Sequence, residues 1–175
     1  MHSDPFRIDE IPAVLRSPLE AALGIATLRG IYCRIRHNQH ELPQPFEERV
    51  LRALEIRSHV TEVDLHSIPA RGSVIIAANH PHGALDGLLL LDIVRRVRRD
   101  VRVLANRLLD RIPELRESCF FVDPFDGPEA AARSRAGLRA AHLWLRNGGV
   151  LVVFPAGGVA HRWVRGSLVE ALEYE

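Results

Sequence analysis

Two imidazoles and a carboxylate stand close together in the run Ala78-Asn79-His80-Pro81-His82-Gly83-Ala84-Leu85-Asp86. A neutral histidine accepts a proton near physiological pH, and a nearby carboxylate orients the ring and stabilises its cation. That combination makes a general base. The residues before the run, Ser73-Val74-Ile75-Ile76-Ala77, are small or β-branched and predict a buried strand. The residues after it, Gly87-Leu88-Leu89-Leu90-Leu91, predict an apolar helix starting near Asp86. A strand therefore ends near Asn79, a Pro/Gly loop turns, and His80 and Asp86 sit where strand gives way to helix. His82 and Asp86 are also spaced i to i+4, but Pro81 and Gly83 oppose a helix that starts early. His80 is the expected base, and the bland alternative is a hydrogen-bonded turn in which Asp86 only caps the helix.

A second loop of interest is Phe154-Pro155-Ala156-Gly157-Gly158, which ends the apolar run Val150-Leu151-Val152-Val153. Between the two loops, strands are expected at Val101–Ala105 and Cys119–Val122. Helices are expected over about 86–97 and 128–147, with a short helical turn at Leu108–Ile112. Upstream, residues 1–17 read as an irregular arm, and Pro18 to about Asn38 as a helix capped by Ser17. Gln39–Pro45 is a linker, Phe46–Arg57 a short helix, and His59–Leu65 alternates as a strand. Strands alternating with helices indicate an α/β fold, with a mixed, largely parallel central sheet flanked by helices. Ligands in such sheets lie beyond the strands' carboxyl ends, where both loops fall.

Composition narrows the options. Apolar residues make up 47% and charged residues 26%, ordinary globular values, in a chain long enough for one domain with a core. The formal net charge of +1 gives no global field for nucleic acid. Every basic residue among the 23 is Arg, whose fork suits phosphate heads. Cys33 and Cys119 fit no ligand spacing and suggest a reduced intracellular protein. The N-terminus lacks a signal-peptide core, and no run has the length of a membrane span. The helix at 18–38 joins a broad apolar face to Arg29, Arg34, Arg36 and His37. It could lie on an anionic membrane or pack on a core with cations at its negative end.

Asn79-His80-Pro-x-Gly-x-x-Asp86, followed by Phe154-Pro155-Ala156-Gly157, resembles the glycerolipid acyltransferase superfamily. Five residues separate His80 from Asp86 where the superfamily usually has four, and this longer loop is similar to the hemolysin-like bacterial branch of lysophospholipid acyltransferases. Asp100–Leu109, Arg111–Leu115, Phe121–Phe125 and Leu145–Gly149 extend the resemblance, which covers about residues 18–162. It implies an acyltransferase-type α/β domain over 46–175, behind an N-terminal arm and amphipathic helix at 1–45. His80 and Asp86 would be catalytic. Asn79, His82, Gly83, Arg107, Phe154, Pro155, Ala156 and Gly157 would bind substrate. The implied reaction moves a fatty acyl group from acyl-CoA or acyl carrier protein to a lysolipid hydroxyl. It calls for no cofactor, metal or nucleic acid, and for a cytoplasmic place at the inner membrane face.

Three features depart from the family's pattern. Gly158 replaces an acidic residue, and the block at Phe120–Pro124 lacks the Arg that relatives often have, leaving Arg107, Arg133, Arg135 and Arg162 as candidates. The chain also ends early, as a C-terminally truncated form would. These departures suggest a degenerate lipid-binding relative as one alternative. Another is a metal-dependent hydrolase using His80, His82 and Asp86, similar to the His-x-His-x-Asp-His loop of metallo-β-lactamase-type enzymes. Ala84 and Leu85 occupy that motif's Asp-His places.

Overall fold

The computed structural model describes residues 25–37, 44–123 and 128–155. The arm at 1–17, the start of the first helix, most of the Gln39–Pro45 linker and the chain beyond Pro155 lie outside them. The elements are α1 (Ile25–His37), α2 (Phe46–Ala53), α3 (Glu62–His66), β1 (Val74–Ala77), α4 (Ala84–Arg95), β2 (Val101–Asn106), β3 (Cys119–Val122), α5 (Pro128–Arg146) and β4 (Val150–Val153). Two 3₁₀ turns, Arg107–Arg111 and Pro113–Leu115, join β2 to β3.

The strands form one sheet in the order β1-β4-β2-β3, and every pairing is parallel. β4 inserts between β1 and β2, so the last described strand lies beside the first. Alternate residues of each strand face opposite ways, and helices cover both faces except at the edge strand β1, where Ile75 is 60% exposed and the expected buried strand is covered on one face only. On one side Val101, Val103, Ala105, Val150 and Val152 pack with Leu91 and Val94 of α4. On the other, Phe120 and Leu151 pack with Ala141 and Trp144 of α5. This two-sided burial is why β4 reads as an unbroken apolar run.

The sequence expectation of a strand at His59–Leu65 is corrected: this segment holds the short helix α3. Thr61 Oγ1 accepts from the Asp64 N–H at 3.2 Å, and Asp64 Oδ2 accepts from the Thr61 N–H at 3.3 Å. This reciprocal capping box satisfies the helix start locally. Val63 is 78% exposed, so no buried face rewards an extended chain here. The expected helix at the N-terminus is present over Ile25–His37, and it packs on the body through buried Tyr32 and Ile35. The Tyr32 hydroxyl donates to Glu114 Oε2 at 2.8 Å. Burial, with Glu114 adding to it, pushes that hydroxyl up to about 12.

One buried guanidinium ties down the amino edge of the sheet. Arg98 donates to both Asp100 oxygens, at 2.9 and 2.5 Å, and to the carbonyls of Pro69 (3.3 Å), Gly72 (2.6 Å) and Gly148 (2.5 Å). Those partners lie just before β2, β1 and β4 respectively. A single side chain thus fixes the starting points of three neighbouring strands.

Two expected outcomes follow from this packing. A Cβ on Gly137 would stand 2.1 Å from the Phe121 carbonyl oxygen, backbone that cannot swing aside. Gly137→Ala should therefore lower stability by about 1–3 kcal/mol in urea unfolding. The hydrogen bond from Arg98 holds the Asp100 carboxyl below the usual carboxylate range, with Coulomb attraction helping and burial opposing. A depressed folded-state value contributes stability above the unfolded value, roughly pH 4, and that contribution is lost as pH falls through the folded value. Wild type should lose urea resistance below pH 4 more steeply than Asp100→Asn; parallel curves would refute this.

Candidate active site

β1 and β4 are paired to their last residues, with Ala77 opposite Val153 and the Ala78 N–H donating to the Val153 carbonyl at 3.2 Å. The His loop and Phe154 therefore leave the sheet side by side at its carboxyl edge. The His80 ring stacks on the Phe154 ring, centroids 4.1 Å apart and planes 27° apart. The sequence reading gave Phe154 to the substrate; the structure makes it the floor beneath the imidazole. No sequence signal marked this pairing, because it depends on which strands are neighbours.

Asp86 lies in the first turn of α4 and is reached from two sides. Its Oδ2 stands 3.3 Å from His80 Nδ1 and accepts the His82 backbone N–H at 2.8 Å. Its Oδ1 stands 3.3 Å from His82 Nδ1. The expectation favoured His80 over His82 as the partner of Asp86; the structure brings both imidazoles to one carboxylate. Burial tells the two rings apart. The side chain of His80 is 20% exposed and that of His82 68%, while Asp86 is 12% exposed. His80 Nδ1 is buried, and its approach to Asp86 falls short of hydrogen-bond geometry. Such contacts are often long in unliganded active sites and tighten when substrate binds.

The loop reaches this arrangement through Gly83, the N-cap of α4, at φ 65° and ψ −136°. Side-chain-bearing residues rarely adopt that conformation. With Gly83 turned this way, the helix starts at Ala84 and the His82 N–H points back at Asp86. Pro81 and Gly83 thus keep His82 out of the helix, as the sequence implied, yet the i to i+4 contact forms through the loop.

The remaining candidates are distributed along the same edge. Asn79 is exposed at the end of β1, and Pro155 is exposed after Phe154. Arg107 is exposed at the end of β2, the strand on the far side of β4. At the usual strand spacing it is about 10 Å from the strand that carries His80. Asn106 caps that turn by accepting the Leu108 N–H at 2.9 Å. Arg133 is engaged by Asp123 at 2.6 Å, and Arg135 lies exposed on α5. Ala156, Gly157, Gly158 and Arg162 lie outside the described residues.

Burial pushes the Cys119 thiol up to about 12, which leaves it protonated and inert at neutral pH. Among the described residues, no group of three His, Cys, Asp or Glu side chains is arranged to hold a metal ion. The groups gathered at the edge are a partly buried imidazole on an aromatic floor, a largely covered carboxylate behind it and a second, exposed imidazole.

A family model described as Acyltransferase matches residues 59–171. Comparison with curated proteins and with solved structures finds no match. Gly83→Ala should cost about 1–3 kcal/mol in urea unfolding, the strain of a Cβ at this φ and ψ. An unchanged midpoint would mean that the loop can reach Asp86 by another route.

Proposed function

This chain belongs to the acyltransferase family, and from that premise we propose that it transfers a fatty acyl group from a thioester donor to a lysolipid hydroxyl. The observation that carries the reading is the His80–Asp86 contact at the sheet's carboxyl edge, with the ring held flat on Phe154. His80 is the general base. Its Nδ1 faces Asp86, so Nε2 is the nitrogen left to meet the acceptor. Nε2 takes the hydroxyl proton as the oxygen attacks the thioester carbonyl carbon. Asp86 fixes the ring's orientation and stabilises the imidazolium that forms. The C–S bond then breaks, and the departing thiolate takes the proton back from Nε2. The products are an ester and a free thiol, and His80 returns neutral for the next turnover. No enzyme nucleophile is needed, in keeping with an inert Cys119.

The five-residue spacing between His80 and Asp86 supports the hemolysin-like bacterial branch and a lysophospholipid or related lysolipid as acceptor. Asn79, His82, Gly83, Arg107, Pro155, Ala156 and Gly157 form the acceptor side of the site in this reading. In this reading Arg107, exposed one strand beyond Phe154, meets the head group. The donor is acyl-CoA or acyl carrier protein, both thioesters, and no further cofactor enters. The acceptor is a lipid, so the protein works at a membrane surface, the inner face in this reading. Among the described residues no helix is long and apolar enough to cross a membrane, which is compatible with peripheral attachment.

The test is an acyl-transfer assay over a panel of lysolipids. His80→Ala should lower kcat by about 10²–10⁴-fold, the usual worth of a general base. Asp86→Asn should lower kcat at least about tenfold by losing the orienting charge. A His80→Ala protein that is folded and as active as wild type would remove His80 from the role.

A further inference from the structure

α5 carries an arrangement that the catalytic reading does not use. Arg135, Arg139, His142 and Arg146 recur at i, i+4, i+7 and i+11, and all four are exposed. At 100° per residue they fall within about 60° of arc, a single line along the helix. The opposite side of the helix buries Ala130, Ser134 and Ala141 against the sheet. Leu138 and Leu143, each 50% exposed, flank the line on either side.

The line is also short of counter-charge. α5 holds four Arg against one Glu, although the whole chain has a formal net charge of only +1. Glu129, that single acid, sits in the first turn and faces Arg133, which also holds Asp123. Among the described residues, no carboxylate meets Arg135, Arg139 or Arg146. Arg146, in the last turn, answers the helix dipole. Arg135 and Arg139 lie mid-helix and have no such local reason.

We propose that this face of α5 is the surface by which the protein docks on an anionic lipid membrane, with the helix axis lying in the plane of the surface. Arginines with leucines on either flank suit the interface between head groups and acyl chains. The guanidinium meets lipid phosphate while leucine enters the apolar boundary. An acidic protein partner would use the arginines but leave the leucines without purpose. The position fits as well. The Asp123 N–H donates to Ser134 Oγ at 2.8 Å, which places the first half of α5 beside the carboxyl end of β3. The line therefore begins, at Arg135, level with the carboxyl edge at which the His loop emerges, on the α5 side of the sheet. This inference extends the lipid-acceptor reading, but its test does not depend on it.

Co-sedimentation with phosphatidylcholine vesicles, with and without phosphatidylglycerol, reads the surface directly. Wild type should bind only the anionic vesicles and release as rising salt shortens the screening length. Neutralising two charges in R139Q/R146Q should weaken the vesicle partition coefficient about 30-fold, from about 1 kcal/mol per Arg near an anionic surface. R139K/R146K should restore binding. Transfer to a short-chain, water-soluble lysolipid should be the same in R139Q/R146Q as in wild type. Equal binding to both vesicle types, or a variant that binds like wild type, would overturn the proposal. So would a variant that binds vesicles normally but loses transfer from acyl carrier protein alone, which would give the face to an acidic carrier. Intact vesicle binding with no acyl transfer to any acceptor would support the surface and sink the acyltransfer reading instead.

Discussion

The parallel pairing of β4 with β1 is the constraint on which the site depends. These strands are more than seventy residues apart in the chain, yet they run side by side from Val74 and Val150 to Ala77 and Val153. Because both strands end at the same level, the loops that follow them emerge together, and His80 lands on Phe154. A slip of one residue would turn each strand's core residues to the opposite face and move the two rings out of step. Two groups of contacts oppose such a slip. Val150 and Val152 are fully buried against the α4 side, and Leu151 is buried against α5. At the amino edge, Arg98 holds the segments leading into β1, β2 and β4 on one guanidinium.

Arg98 is a polar solution to a geometric problem. Three segments meet at the amino edge: two bring the carbonyls of Pro69, Gly72 and Gly148, and the third brings the Asp100 carboxylate. A guanidinium carries enough donors, in a fixed plane, to serve two or three of them at once while pairing with Asp100. The catalytic edge, by contrast, is organised around an acceptor. Asp86 takes one backbone N–H and faces two imidazoles, and Gly83 supplies the turn that lets the loop reach it. Stability and chemistry are thereby separated to opposite ends of the same four strands. The loops at the carboxyl edge can vary in sequence without disturbing the contacts that set the register.

Much of this architecture is legible in the amino-acid sequence. The strands β1 to β4 and helices α4 and α5 announce themselves through β-branched runs, apolar periodicity and Gly or Pro stops. The observed elements lie close to the expected ones. His80 and Asp86 were readable from residue type, spacing and position between a strand and a helix. The segment His59–Leu65 alternates as a strand would, but the same residues hold the Thr61–Asp64 capping box, which closes a helix start locally. The role of Phe154 was hidden for a different reason. Its residue type was visible, but its partner was set by the insertion of β4 between β1 and β2, which no local pattern encodes.

The α/β class, the order of the elements from β1 to β4 and the residues able to do acid–base chemistry are all legible locally. These follow from local propensity and periodicity, which act over a few residues. The strand order, the stacking of His80 on Phe154, the sharing of Asp86 between two imidazoles and the guanidinium that fixes three strands became visible in the folded chain. Folding also decided which side of α5 remained exposed, and so turned scattered arginines into one line. The sharing of Asp86 is set within its own loop by the Gly83 turn; the others arise from burial and pairing between segments far apart in the chain, and that energy is realised only once the sheet has assembled.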